Sequence, residues 1–110
     1  MKPEFLILSK NIRGSVFKCH DGKDKICLMF NNITQCFTIH EFIQLKRTIE
    51  LVDIEQFFAG CAYDRKFHMK TESDDLYFSF RKEELKELKD LLITAEFRLN
   101  IESSLSKNLN

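Results

Sequence analysis

The clearest pattern in the chain is a pair of short, mostly apolar segments, Lys25–Phe30 and Ile33–Phe37, separated by two asparagines. Short apolar runs bounded by turn residues are typical of strands. Asn31 opens the short connection between them and tolerates the left-handed backbone of a tight turn, so we predict a hairpin. Its register places Cys27 directly opposite Cys36. The face assigned to the core carries Ile26, Leu28, Phe30, Ile33 and Phe37, and the opposite face carries Cys27, Met29, Thr34, Cys36 and Thr38.

Four further segments have the composition of strands. Glu4–Ser9 is apolar on both faces, as expected for an inner strand covered on two sides or for one packed under a helix, and Ser15–Cys19 follows it after a connector. Gly14 in that connector can adopt the positive φ that a turn there would require. Arg65–Thr71 and Leu76–Phe80 alternate between apolar and polar residues, which predicts a second hairpin.

Two segments have the spacing of amphipathic helices. The first begins at Thr38, because its hydroxyl can accept from the amide of Glu41 while the Glu41 carboxylate accepts from the Thr38 amide, as in a capping box. The second begins at about Lys82. Apolar residues recur every three or four positions in both helices: Phe42, Leu45, Ile49 and Val52 in the first, and Leu85, Leu88, Leu92, Ala95 and Leu99 in the second.

These elements predict a single α+β domain. Its antiparallel sheet is built from an N-terminal meander and a later hairpin, and two amphipathic helices pack on one side of it. The 110 residues are enough for one compact core. We assign residues 1–102 to this domain and expect residues 103–110, which are mostly polar, to form a frayed tail.

The second helix carries an additional apolar stripe at Ile93, Phe97 and Ile101, on a different side from its main seam. This stripe is either covered within the monomer or contacts another subunit. Because exposed apolar patches usually mark interfaces, the second possibility predicts a homodimer that is formed through this helix.

Charge and the N-terminal composition exclude several classes of partner. Seventeen basic and seventeen acidic residues cancel, which removes the positive charge expected of a nucleic-acid-binding protein. The apolar run Phe5–Leu8 is too short for a signal sequence or a membrane span. We therefore expect no membrane or nucleic-acid partner, and a cytoplasmic location in which the cysteine thiols are reduced.

Three cysteines are candidates for a functional cluster. Cys27 and Cys36 face each other in the predicted hairpin, and Cys19 falls next to Cys27 if the preceding pair of strands has the matching register. Three thiols would then share one face of three adjacent strands. A structural zinc ion takes four Cys or His ligands, so His20, His40 or a water molecule would have to complete the site.

Two other interpretations of these cysteines stay open. Cys27 and Cys36 could form a reversible disulfide that acts as a redox switch. All three cysteines could instead be buried as small apolar side chains, which is the commoner role of unmodified Cys. Cys61 lies outside the cluster and is expected to serve packing alone.

The sequence contains no nucleophile with an oriented base beside it, as covalent catalysis would require. Cys19 and His20 are neighbours on a strand, which sends their side chains to opposite faces. We therefore predict that the protein is not an enzyme.

Lys66, His68 and Lys70 form a basic stripe that is either solvated or contacts an acidic partner.

Three parts of the chain carry a likeness to known proteins: Gly14–Cys19, Leu28–Asn32 leading into Glu41 and Phe42, and Arg65–Thr71 followed by Leu76–Leu92. Together they resemble a family of short uncharacterised bacterial proteins, a domain of unknown function. In that family the position of Cys19 is often followed three residues later by a second Cys, a pair suited to metal binding, and here that position is Gly22. The resemblance implies no activity.

The sequence thus predicts a small, non-enzymatic, cytoplasmic binding or interaction protein that forms a homodimer through its C-terminal helix. The alternative is a zinc-binding or thiol-redox module built on the strand cysteines.

Overall fold

A computed structural model describes residues 5–19, 25–60, 65–71 and 75–108 of the chain. The described residues form an α+β fold. In chain order its elements are β1 (Phe5–Asn11), β2 (Gly14–Cys19), β3 (Lys25–Phe30), β4 (Ile33–Thr38), α1 (Ile39–Glu50), α2 (Ile54–Phe58), β5 (Phe67–Lys70), β6 (Tyr77–Phe80) and α3 (Lys82–Asn108).

The strands form an antiparallel meander and a separate hairpin. Strands β1 to β4 lie side by side in chain order, and each pairs antiparallel with the next. Strands β5 and β6 pair with each other in a second, two-stranded sheet. The helices pack against the larger sheet, which confirms the predicted α+β class, the meander and the later hairpin. The hairpin does not join the sheet of the meander, as was expected, but forms a sheet of its own.

The predicted hairpin of β3 and β4 has the expected register, with Cys27 opposite Cys36. Asn31 in its turn has a φ of 56°, the left-handed conformation that Asn tolerates. The capping box that begins α1 is also confirmed. The Glu41 amide donates to Thr38 Oγ1 at 3.1 Å, and the Thr38 amide donates to Glu41 Oε1 at 2.8 Å.

The register between β2 and β3 that would place Cys19 directly opposite Cys27 is not the one observed. Cys19 pairs with Lys25, and Cys27 pairs with Phe17. Cys19 and Cys27 are therefore diagonal neighbours on the same face, two positions apart along the strands, and not a directly opposed pair. The register depends on the loop before β3, whose length permits more than one pairing.

The prediction for Gly14 also needs correction, because its φ is not positive. A Cβ atom on Gly14 would overlap the carbonyl oxygen of Met29 on the neighbouring strand. Glycine is needed at this position because the two backbones approach closely.

Helix α3 supplies one side of the core and is fastened to the first strand. Ser9 Oγ donates to the Leu91 carbonyl at 2.7 Å, and Asn11 Nδ2 donates to the Glu87 carbonyl at 3.1 Å. The largest fully buried side chains of the core come from the sheet, α1 and α3: Val16, Ile26, Phe42, Ile49, Leu85, Leu88 and Leu92.

Helix α3 extends beyond residue 102, where the sequence predicted the end of the folded domain. Residues 103–108 are helical, although their polar composition predicted a frayed tail. The fraying itself stays a prediction, and residues 109 and 110 lie outside the described residues.

Among the described helices, α3 included, none combines the length and the apolar composition that crossing a membrane would require.

Candidate functional site

The three candidate cysteines converge on the face of the four-stranded sheet that points away from the helices. Cys27 and Cys36 are joined by a disulfide bond. The Sγ atom of Cys19 lies 3.7 Å from that of Cys27. The sulfur atoms thus follow one another across β2, β3 and β4, with Cys27 in the middle.

Solvent reaches the three sulfur-bearing residues to different degrees. Cys27 is only 3% exposed, although the hairpin pattern assigned it to the outer face. Its neighbours on β2 and β4 shield it, because Phe17 lies directly opposite it on one side and Cys36 on the other. Cys19 is half-buried and free, whereas Cys36 on the edge strand is exposed.

The disulfide changes what the cluster can do chemically. The thiols were expected to be reduced, and Cys27 and Cys36 instead form a bond. The described part of the chain, which includes His40, contains no group of three or more potential ligands suited to a metal ion.

Two further predictions lie outside the described residues. The sequence suggested His20 as a zinc ligand, and it suggested a packing role for Cys61.

Apolar side chains surround the sulfur atoms on this face. The ring of Phe17 stands edge-on to that of Phe5, with their centroids 5.7 Å apart. Ile7 pairs with Phe17 on the same face and is half exposed, as is Met29 of β3. The disulfide and the free thiol therefore lie within a mostly apolar surface.

The predicted stripe on the C-terminal helix is exposed to solvent. Ile93, Phe97 and Ile101 are 36%, 66% and 40% exposed, and Leu105, which continues the spacing of four residues, is 53% exposed. The core residues of α3, such as Leu92 and Ala95, face the opposite side. The described residues thus leave these four side chains largely uncovered. Contact with another subunit stays a prediction. We call these four residues the outer stripe.

A cleft of about 470 Å³ opens between the large sheet, α1 and the β5–β6 hairpin. This volume is in the range of small-molecule sites. Its walls are mainly apolar and include Leu28, Phe30, Phe37, Leu45, Met69 and Phe78. Ile33, assigned to the core by the hairpin pattern, is instead 44% exposed at this cleft.

One wall of the cleft is polar. His40, Gln44 and Thr48 follow one another at intervals of four residues along α1, and Gln35 of β4 is half-buried beside them. No pattern in the sequence predicted this cleft. The spacing of the three helical residues is visible in the sequence, but the cleft exists only because the hairpin stands opposite α1.

The basic stripe of β5 is partly engaged in structure. His68 Nδ1 lies 2.7 Å from Ser79 Oγ on the paired strand β6, which places the imidazole in a cross-strand hydrogen bond. This contact favours a local structural role for His68 over binding of an acidic partner.

Two ion-pair groups connect α3 to the other helices. Hydrogen bonds from Lys86 and then Lys82 lower the pKa of Glu55 on α2 to about 2. Hydrogen bonds to Glu96 of α3 and to Glu50, both at 2.9 Å, raise the pKa of Lys46 above its ordinary value. These groups join structural elements and lie outside both the sulfur cluster and the outer stripe.

Comparison with known proteins identifies a family and no function. No curated protein and no solved structure gives a significant match to the chain. The model of a family of unknown function, DUF6686, matches residues 1–108. This agrees with the resemblance to an uncharacterised domain that the sequence motifs indicated. Since the match covers nearly the whole chain, the protein belongs to the DUF6686 family of unknown function.

Proposed function

We propose that this protein is a small, non-enzymatic, cytoplasmic interaction protein that forms a homodimer through helix α3. The observation that supports the proposal is the outer stripe, four large apolar side chains exposed on one side of a single helix. Contiguous apolar surface of this kind on a folded domain usually marks an interface.

The geometry of the outer stripe suits a second copy of the same helix. Residues at intervals of four advance by about 40° around a helix, so the stripe winds slowly along about 18 Å of the α3 surface. Two copies related by a twofold axis can cover each other's stripes, because the same patch then serves both subunits. A formal net charge of zero adds no overall repulsion between the copies.

The test is the mass of the protein in solution, measured by analytical ultracentrifugation over a range of concentrations. We expect a dimer for the wild type and a monomer for Phe97→Glu and Leu105→Glu, because each change places a charge within the buried interface. Ser103→Glu is the matched control. It adds the same charge near Leu105 on another side of the helix and should leave the dimer intact.

A monomeric wild type at the highest concentration, or a dimer that survives Phe97→Glu, would contradict the homodimer. Circular dichroism of each variant shows whether α3 remains helical. A variant that is monomeric and fully helical supports the interface directly.

A thiol-redox module is the second candidate function. It is supported by the bonded pair Cys27 and Cys36 with the free thiol of Cys19 in contact. In a cytoplasmic protein a disulfide is usually transient and redox-active, which suits such a module. A zinc ion could use the same three residues only after reduction, because thiolates are its ligands. Elemental analysis and a thiol count on protein purified without chelator separate zinc-bound from disulfide-bonded protein.

A further inference from the structure

We propose that Cys19, Cys27 and Cys36 form a thiol–disulfide exchange site in which Cys19 displaces Cys36 from Cys27. The released Cys36 thiolate then reacts with an external low-molecular-weight disulfide. This inference rests on the second candidate function, the thiol-redox module, and assigns a role to each of its sulfur atoms.

The arrangement of the strands brings the attacking sulfur to the correct side of the disulfide. The free Sγ of Cys19 lies 3.7 Å from the Cys27 sulfur, a contact distance. Because β3 lies between β2 and β4 in the sheet, Cys19 approaches Cys27 from the side away from Cys36. Thiol–disulfide exchange proceeds by attack of a thiolate on one sulfur while the other sulfur leaves.

The exchange needs no oxidant or reductant. A new bond forms between Cys19 Sγ and Cys27 Sγ, the bond between Cys27 and Cys36 breaks, and the electron pair of the broken bond remains on Cys36 as a thiolate. Cys19 attacks as its thiolate after it has released its proton to solvent, so one thiolate and one disulfide are present before and after the step. In the product the disulfide has moved by one strand.

The exchange moves the reactive thiol to the surface. Before it, the free thiol of the cluster is Cys19, which is half-buried on β2. After it, the free thiol is Cys36, which is exposed on the edge strand β4. Cys27 remains in a disulfide throughout, which fits its nearly complete burial.

The exposed Cys36 thiolate can then react with a disulfide of low molecular weight. It attacks one sulfur of that molecule, forms a mixed disulfide, and releases the other half as a thiolate. Cys36 is therefore the site at which a small thiol compound becomes attached to the protein.

Tryptic peptide mapping of the unmodified wild-type chain tests the exchange. Cleavage after lysine and arginine leaves Cys27 and Cys36 together in the peptide of residues 26–46 and Cys19 alone in residues 19–23. The native protein is incubated with iodoacetamide, quenched in acid and digested. We expect a growing fraction in which the two peptides are joined and Cys36 carries the alkyl group.

Incubation with oxidised glutathione is the second readout. We expect one glutathione on Cys36, together with the joined peptides. Cys19→Ser is the control, because it retains the original disulfide and should show neither alkylation nor glutathione at Cys36. In Cys36→Ser, mild oxidation should join Cys19 to Cys27, and a thermal melt shows that the variant is folded.

Two results would overturn the exchange, and they differ in what else they affect. A disulfide between Cys27 and Cys36 that persists while Cys19 is the one cluster residue to be alkylated overturns the exchange and leaves the thiol-redox function standing. Free thiols at all three positions in protein purified without reductant overturn both.

Discussion

At the scale of single residues, Glu55 on the short helix α2 forms ion pairs with two lysines of the long helix α3. Its carboxylate lies 2.9 Å from Lys82 Nζ and 2.7 Å from Lys86 Nζ, both on α3. The two lysines follow one another at an interval of four residues, so both face α2. Each lysine stabilises the ionised form of Glu55, which is the cause of its lowered pKa.

The Glu55 ion pairs predict a specific dependence of stability on pH. Because the pKa is lowered in the folded state, the contribution is fully present above the ordinary carboxyl pKa of 4.5 and is lost as the pH falls toward about 2. Glu55→Gln should therefore be slightly less stable than the wild type at neutral pH, and the difference should vanish only below a pH of about 2. Urea unfolding at several pH values measures this.

The effect will be small because the Glu55 side chain is 66% exposed and salt screens it. Glu83→Gln is the control, since Glu83 is exposed in the first turn of α3 and has no ion-pair partner among the described residues. Equal pH profiles for the two variants would show that the contacts of Glu55 contribute nothing.

At the scale of secondary-structure elements, the start of β2 depends on a close approach between strands. Gly14 begins β2 and pairs with Phe30, the last residue of β3. The Met29 carbonyl occupies the space that a side chain at position 14 would need. The glycine thus allows β2 to pair with β3 along its whole length.

Gly14→Ala should destabilise the protein by about 3 kcal/mol or more, because a backbone carbonyl must move to relieve the overlap. Gly60→Ala is the matched comparison. Gly60 has a φ of 65°, and no described atom lies within 4 Å of an added Cβ, so only the backbone conformation opposes the change. We expect a cost of about 1 kcal/mol there. Urea unfolding midpoints measure both costs, and equal midpoints would refute the steric explanation.

At the scale of the whole molecule, the two sheets stand apart and enclose the cleft. Phe80 of β6 packs edge-on against Phe30 of β3, with ring centroids 5.9 Å apart, and this contact holds the hairpin beside the large sheet. The apolar face of the hairpin then lies opposite α1. The result is an apolar space with a polar wall, an arrangement common in sites for small molecules.

The cleft should bind a small apolar fluorophore such as anilinonaphthalene sulfonate. Gln44→Trp should weaken this binding, because Gln44 lines the cleft and an indole there would fill part of it. Arg47→Trp adds the same side chain at an exposed position of α1 outside the cleft lining and should not weaken it. Fluorescence titration measures both affinities, and equal weakening would place the fluorophore elsewhere.

The sequence by itself determined the local elements and one register. The two short apolar segments β3 and β4 predicted that hairpin, and the two-residue turn at Asn31 placed Cys27 opposite Cys36. The capping box at Thr38 determined the start of α1. These features depend on residues close together in the chain, whose geometry the backbone constrains directly.

Only the tertiary structure decided the features that depend on distant residues. The diagonal contact of Cys19 with Cys27 follows from the register across a longer loop, and the cleft follows from where the β5–β6 hairpin packs. The exposure of the outer stripe follows from which side of α3 meets the sheet. Periodicity shows which residues share a face, but contacts between separate elements decide which faces are covered.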